Sequence, residues 1–309
     1  MAAPSPAVPT SPTRLCLRRI GAADLARLDL SRLSVAYCGA EPVRAASLAA
    51  FAAHTAQAGF RPDALLPCYG LAEATLLVSG TAGQGLRTAS TTVLGKQAER
   101  TVCGTPPSGC RITIRHPQSG ALLAPGETGE VCVSGAHVAA GEWEAATGRI
   151  VPLSNAAFSE EGERYLRTGD LGFEAPEGLV VVDRIKDMIC LQGRNVHAVD
   201  VESAAVGAGG GAIAAAAAFA VEDDAKERVV LLCEVPARGR ASLDPTLESR
   251  LAAAIGADCG VRPQILFMRH GALPRTTSGK IRRSTARQQF QEGLIQPLAI
   301  EMPHAETTD

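Results

Sequence analysis

The residues with chemical reach in this chain fall in four short strings. Leu273-Pro-Arg-Thr-Thr-Ser-Gly-Lys-Ile-Arg-Arg283 puts Lys280 directly after Ser278-Gly279. A glycine there lets the backbone approach a ligand closely, and the ammonium that follows can neutralise an anion. Arg167-Thr-Gly-Asp-Leu-Gly172 puts Asp170 after Thr168-Gly169. This reads as a turn, in which a carboxylate can accept two neighbouring hydroxyls. Asp183-Arg-Ile-Lys-Asp187 adds Arg184 and Lys186, and Tyr69-Gly-Leu-Ala-Glu-Ala-Thr75 adds a carboxylate at Glu73 and a hydroxyl at Thr75. Only four lysines occur, Lys96, Lys186, Lys226 and Lys280, among 30 basic residues, so two of a rare type fall inside these strings. Each string also has a plainer reading. Lys280 alone is a solvated lysine beside Arg275, Arg282 and Arg283, Asp170 an ordinary turn aspartate, Tyr69 a core tyrosine and Arg184 a surface ion-pair partner.

Composition bounds what these residues can serve. A length of 309 residues suggests two domains at about 100–200 residues each. Hydrophobic residues make up 46% and charged residues 20%, which suits packed cores and excludes wholesale disorder. A net charge of −2 and 4% aromatics argue against a nucleic-acid binder, which needs a basic footprint and stacking surfaces. Nine cysteines, an odd number with no Cys-x-x-Cys pair, argue against a zinc ribbon, a redox motif or a disulfide framework. They read as small buried hydrophobes in a reducing compartment. Six scattered histidines show no metal-binding spacing. No apolar run approaches the ~18–20 residues that span a bilayer, and the first thirteen residues lack the charged and apolar regions of a signal peptide. The expectation is a soluble, cytoplasmic protein.

The elements that must hold the strings follow from periodicity. Residues 33–37 read as a buried strand ending in the Gly39-Ala-Glu-Pro42 turn, and residues 43–58 as a helix stopped by Gly59. Residues 65–69 read as a second strand, with a helix beginning at Ala72. Strands at 111–115, 130–134 and 178–182 alternate with Gly/Pro turns and predict a β-rich lobe. Further on, strands at 188–191, 216–221, 229–235 and 264–269 mix with helices near 199–207, 243–255 and 281–293. The fold class is therefore α/β plus α+β.

Taken in order with Gly39-Ala-Glu-Pro-Val-Arg44, the four strings resemble the adenylate-forming (acyl-activating) enzyme superfamily. Residues 39–48, 66–80 and 217–235 are similar to its fatty acyl-AMP ligase branch, and the likeness covers roughly residues 15–295. It implies the C-terminal portion of such an enzyme, in which a fatty acid carboxylate attacks the α-phosphate of ATP and releases pyrophosphate. The acyl group then passes to the phosphopantetheine arm of an acyl carrier protein. Adenylyl transfer gathers negative charge at the α-phosphate, so catalysis is mainly positioning and charge stabilisation. The resemblance implies roles residue by residue. Lys280 reaches the carboxylate and α-phosphate. Asp170 and Arg184 hold the ribose. Glu73 holds Mg²⁺, and Thr75 lies near the α-phosphate. Tyr69, with Gly70 beside it, packs on adenine, whose other side is lined by Gly39, Ala40, Glu41 and Pro42. Lys186 is the hinge. The implied architecture is a leader at 1–14, a truncated large domain at 15–183 (α/β segment 32–80, β-rich lobe about 91–183) and a hinge at 184–186. A small mobile α+β domain at 187–300 and a frayed tail at 301–309 complete it.

The sequence departs from the family pattern in places. The family's Gly/Ser/Thr-rich phosphate loop lies upstream of the Gly-Ala-Glu-Pro string, yet only 38 residues precede Gly39 and none forms such a loop. The segment 79–85 looks superficially like one but reads as a flexible linker. The segment 81–102 is short for the insertion of fatty acyl-AMP ligases, and Asp183 stands where glycine commonly precedes Arg184. These features leave two alternatives open: a catalytically silent remnant that binds nucleotide or carrier protein, and an acyl-CoA ligase. They also suggest a separately encoded N-terminal half as a partner.

Overall fold

The computed structural model describes residues 13, 16–17, 19–40, 43–93, 96–153, 157–191, 194–223, 226–236, 244–277 and 279–298. The chain divides into two compact units, residues 1–92 with 97–185, and residues 93–96 with 186–309.

The first unit includes a one-turn helix α1 (Ala22–Leu25) near its start. Strand β1 (Ala36–Cys38), helix α2 (Ala45–Thr55) and strand β2 (Leu65–Leu71) follow. β1 and β2 run parallel, with Cys38 opposite Pro67, because α2 carries the chain back across. Leu48, Ala52 and Thr55 recur on one face of α2 and are buried, packing with Ala36, Cys38, Phe60 and Leu65. Gly59, at φ 82°, ends the helical stretch in the left-handed region open to glycine. β3 (Leu76–Gly80) adds antiparallel to β2. The remaining strands are β4 (Thr88–Val93), β5 (Lys96–Thr101), β6 (Cys110–Arg115), β7 (Gly129–Gly135), β8 (Glu142–Glu144), β9 (Arg149–Val151), β10 (Ala157–Glu160), β11 (Glu163–Ala175) and β12 (Gly178–Arg184). Five of them form one sheet in the order β10-β11-β7-β6, with β12 also on β11. Val131, Val133, Ile114 and Leu179 of this sheet pack with Tyr69, Ala74 and Val78 of the β2–β3 region.

The second unit begins with a hairpin of β13 (Met188–Leu191) and β14 (Arg194–His197), then α3 (Ala198–Ala208). β15 (Ala215–Asp223) pairs antiparallel with β16 (Lys226–Glu234), and β16 pairs parallel with β17 (Gln264–Met268). The crossover between the last two is α4 (Leu247–Cys259), whose buried Leu247, Leu251, Ile255 and Cys259 repeat every fourth residue. Alternate residues of β15 and β16 enter different cores. Ala216, Ala218, Leu231 and Cys233 meet α3 and α4, while Ala217, Phe219, Val230 and Leu232 meet α5 (Arg283–Gln291). A strand buried on both faces reads as a continuous apolar run, which is why the alanine-rich stretch is a strand despite alanine's low β-propensity.

Three local expectations give way. No helix begins at Ala72: one 3₁₀ turn (Ala72–Ala74) is followed by Thr75 and Leu76 at φ 50° and 75°, a left-handed pair that no right-handed helix can contain. The 243–255 helix starts later, at Leu247, because Asp244 accepts the amide of Thr246 at 2.9 Å and Pro245 cannot donate within a helix interior. The segment 79–85 is no free linker. Ser79 and Gly80 are part of β3, Ser79 is fully buried, and the Thr81 and Thr105 hydroxyls meet at 3.2 Å. The tail at 301–309 and, apart from Thr13, the leader at 1–14 lie outside the described residues.

Candidate functional site

In the first unit two of the motif residues, Tyr69 and Arg184, meet one buried carboxylate. Asp170 is 5% exposed. It sits inside the long strand β11, not in a turn, at a bulge where the register to β7 shifts between Arg167 and Leu171. Gly169 adopts φ 72° there, which glycine tolerates without strain. The bulge is pinned from beneath: the buried Glu130 pairs with Arg167 and accepts the amide of Gly169 at 3.1 Å. Thr168 donates to the carbonyl of Val131 at 2.8 Å and accepts the amide of Asp170 at 3.1 Å.

With the bulge set, the register places Asp170 opposite Arg184 of β12. Arg184 Nε donates to Asp170 Oδ1 at 2.9 Å. Tyr69 Oη, from β2, donates to Oδ2 at 2.6 Å. Burial pushes the Asp170 carboxyl above its ordinary 3.8, against the pull of the Tyr69 hydrogen bond and the Arg184 charge, and the charge of Glu73 adds to the rise. Burial and the adjacent Asp170 charge push the Tyr69 phenol well above 10. Asp183, beside Arg184, accepts the Arg184 amide through its carboxylate at 2.8 Å, a fastening that glycine cannot supply.

The Tyr69–Thr75 string is shaped by close approach. A Cβ on Gly70 would lie 1.5 Å from the Leu76 carbonyl oxygen, so only glycine lets β2 and β3 pair this closely at the register shift between Tyr69 and Gly70. Beyond it, the Thr75 hydroxyl donates to the His137 carbonyl at 2.7 Å, and the Ala139 amide donates to the Glu73 carbonyl at 2.8 Å. The turn bearing Glu73 and Thr75 is thus fastened to the segment after β7. The Glu73 carboxylate is half-buried and accepts no hydrogen bond among the described residues. Gly39 and Ala40 follow β1 at the carboxyl ends of two parallel strands, where α/β sheets generally bind ligands. A Cβ on Gly39 would meet the Cys68 carbonyl oxygen at 2.7 Å, and Ala40 has φ 67°. Glu41 and Pro42 lie outside the described residues.

The two motif lysines fall in the second unit. Lys186 occupies a 3₁₀ turn (Ile185–Asp187) after β12. Lys280 sits on a tight turn: its amide reaches Thr276 Oγ1 at 3.1 Å, and its carbonyl accepts the Thr276 amide at 2.8 Å. Gly279 before it has φ 87°. Ser278 lies outside the described residues.

The sequence pattern of the AMP-binding enzymes matches residues 5–143. The medium-chain-fatty-acid–[acyl-carrier-protein] ligase JamA of Moorena producens is 33% identical over 302 residues, 91% of this chain and 51% of the relative. The long-chain-fatty-acid–AMP ligase FadD26 of Mycobacterium tuberculosis is 32% identical over 312 residues, 92% of this chain and 52% of the relative. A solved structure from work on the fatty acyl-adenylate ligases of E. coli and L. pneumophila superposes with a TM-score of 0.76 at 29% identity, covering 93% of this chain and 53% of that one.

The chain is similar to members of the adenylate-forming enzyme superfamily.

Within that superfamily its relatives lie on the fatty acyl-AMP ligase branch, and it spans about half the length of the curated ones it matches. The mixed α/β and β-rich architecture is that of adenylate-forming enzymes. Several residues of the site were not singled out from sequence. Glu130 and Arg167 hold the Asp170 bulge, and His137 receives Thr75. The one available signal was a charged residue, Glu130, opening the otherwise apolar run Gly129–Gly135.

Proposed function

We propose that this chain contributes the nucleotide-holding and lysine-bearing parts of an AMP-forming fatty acyl ligase. In this reading a fatty acid carboxylate attacks the α-phosphate of ATP, pyrophosphate leaves, and the acyl group passes to the phosphopantetheine thiol of an acyl carrier protein. The observation that supports the reading most is the Asp170 carboxylate held between Tyr69 and Arg184. A carboxylate offers about four lone-pair sites. Tyr69 and Arg184 take one each, and the rest suit the paired 2′ and 3′ hydroxyls of a ribose. Arg184, half exposed, can turn its remaining guanidinium donors to the same sugar. The Tyr69 ring and the Gly39-Ala-Glu-Pro42 string form the proposed adenine slot, and Gly70 permits the close β2–β3 pairing beside Tyr69. Thr75 lies toward the α-phosphate. Lys280 supplies the charge that offsets the carboxylate and phosphate as they meet, and Lys186 is the pivot.

Glu73 fits a magnesium ion of the kind that takes one or two carboxylates and completes its shell with phosphate oxygens and water. Among the described residues no group of three His, Cys, Asp or Glu offers a protein cage instead. A bound ion there would draw negative charge from the phosphates.

The test is ATP–pyrophosphate exchange with fatty acids of graded length, using the chain alone and with a separately expressed N-terminal half of a relative. Exchange that requires fatty acid and falls about 10²–10³-fold in Lys280→Ala supports the reading; no exchange in either arrangement overturns it. The second reading is a catalytically silent nucleotide- or carrier-binding protein. Calorimetric nucleotide binding without exchange would support that one. Acyl-CoA as the product in place of an acyl-carrier thioester would identify a coenzyme A ligase.

A further inference from the structure

The turn that presents Lys280 is gripped from both sides by arginines that enter buried carboxylates of the second unit. On the N-terminal side, Arg275 Nη2 donates to Glu234 Oε2 at 3.0 Å, while its Nη1 donates to the Gly279 carbonyl at 3.2 Å. One guanidinium therefore joins the end of β16 to the residue before Lys280. Glu234 is 1% exposed, and it also accepts the Gly271 amide at 2.8 Å and faces His270 Nδ1 at 3.1 Å. On the C-terminal side, Arg283 forks onto Glu202 at 2.6 and 2.8 Å and reaches Asp187 at 2.9 Å. Glu202, in α3, is buried and also accepts the Ala218 amide of β15 at 3.0 Å. Asp187 directly follows Lys186.

Planar forked contacts of this kind fix direction as well as distance. A catalytic group must be held to within about 0.5 Å to be productive, and a lysine on a glycine-containing turn has no such precision of its own. We propose that Glu234 and Glu202 are positioning residues for Lys280, acting through Arg275 and Arg283. The Arg283–Asp187 contact further makes the Lys280 turn and the residue after Lys186 parts of one rigid body. The catalytic part of this proposal rests on the functional reading given above; the clamp itself does not.

Amide hydrogen exchange and pyrophosphate exchange, measured together, test it. Arg275→Gln, Glu234→Gln and Glu202→Gln are each expected to speed amide exchange across residues 276–282 at least tenfold while leaving α4 unchanged. In the kinetic arm kcat is expected to fall at least tenfold with the KM for ATP within twofold, and Arg275→Lys to recover part of the loss. If Glu234→Gln or Glu202→Gln fails to fold, Arg275→Gln decides, since its side chain is 35% exposed. Unchanged exchange at 276–282 overturns the clamp. Loosened exchange with unchanged kcat, or a loss of protection spread through the whole unit, overturns the positioning role. A wild-type chain without pyrophosphate exchange in either arrangement overturns the functional reading, and with it the catalytic half of this one, while amide exchange still decides the clamp.

Discussion

At the scale of single residues, Asp170 is a carboxylate taken out of water and compensated, among the described residues, by Tyr69 and Arg184. Burial makes the charged form of Asp170 costly, so its folded pKa lies above the unfolded 3.8. In the window from 3.8 up to that raised value the folded state holds more protons than the unfolded state. Stability from this group is thus fully present below 3.8 and is lost as pH rises through the folded pKa. Urea unfolding of the nucleotide-free chain from pH 3.5 upward should show this as a decline that Asp170→Asn removes. An identical slope in both proteins would mean the carboxylate titrates normally. Tyr69→Phe deletes a hydrogen bond to the same buried group and should destabilise by about 1.5–3 kcal/mol, read as a shift of the urea midpoint. It should also push the Asp170 carboxyl further up, since a contact that favours the charged form is gone.

At the scale of elements, the Tyr69–Asp170–Arg184 cluster is made by irregularities in strands. A bulge in β11 sets Asp170 opposite Arg184, and the pairing of β2 with β3 shifts register between Tyr69 and Gly70. Gly70 is where that pairing is least forgiving, because the added methyl would overlap a backbone carbonyl that no rotamer change can move. Gly70→Ala is expected to cost at least the ~1–3 kcal/mol of ordinary overpacking and to lower the thermal midpoint. Gly207→Ala is the control for added bulk, since a Cβ there meets nothing within 4 Å and the backbone is helical. Equal midpoints in the two variants would argue against the close approach.

At the scale of the whole molecule, both units are built round apolar sheets that hide most of the cysteines. Burial pushes the thiols of Cys103, Cys132 and Cys233 up to about 12, whereas Cys190 is exposed. The thiolate is the reactive form, so a bulky thiol reagent at pH 8 should label Cys190 within minutes and leave those three untouched until urea unfolds the chain. Early labelling of Cys132 or Cys233 would contradict the packing of β7 or β16. By itself the sequence determined which residue types are present and in what order. The strings around Tyr69, Asp170, Lys186 and Lys280 carried the family, and apolar periodicity carried most strands and the helices α2, α3 and α4. Local pattern failed where backbone geometry is set from outside. The left-handed pair Thr75–Leu76 depends on the 137–139 segment, and the Asp170 bulge depends on Glu130, 40 positions earlier. Only the tertiary structure decided that Tyr69 and Asp170, 101 positions apart, are joined by a hydrogen bond, and that Glu202 and Glu234 hold the arginines at the ends of the Lys280 turn. Hydrogen bonds and buried ion pairs act over a few ångströms, whatever the separation along the chain.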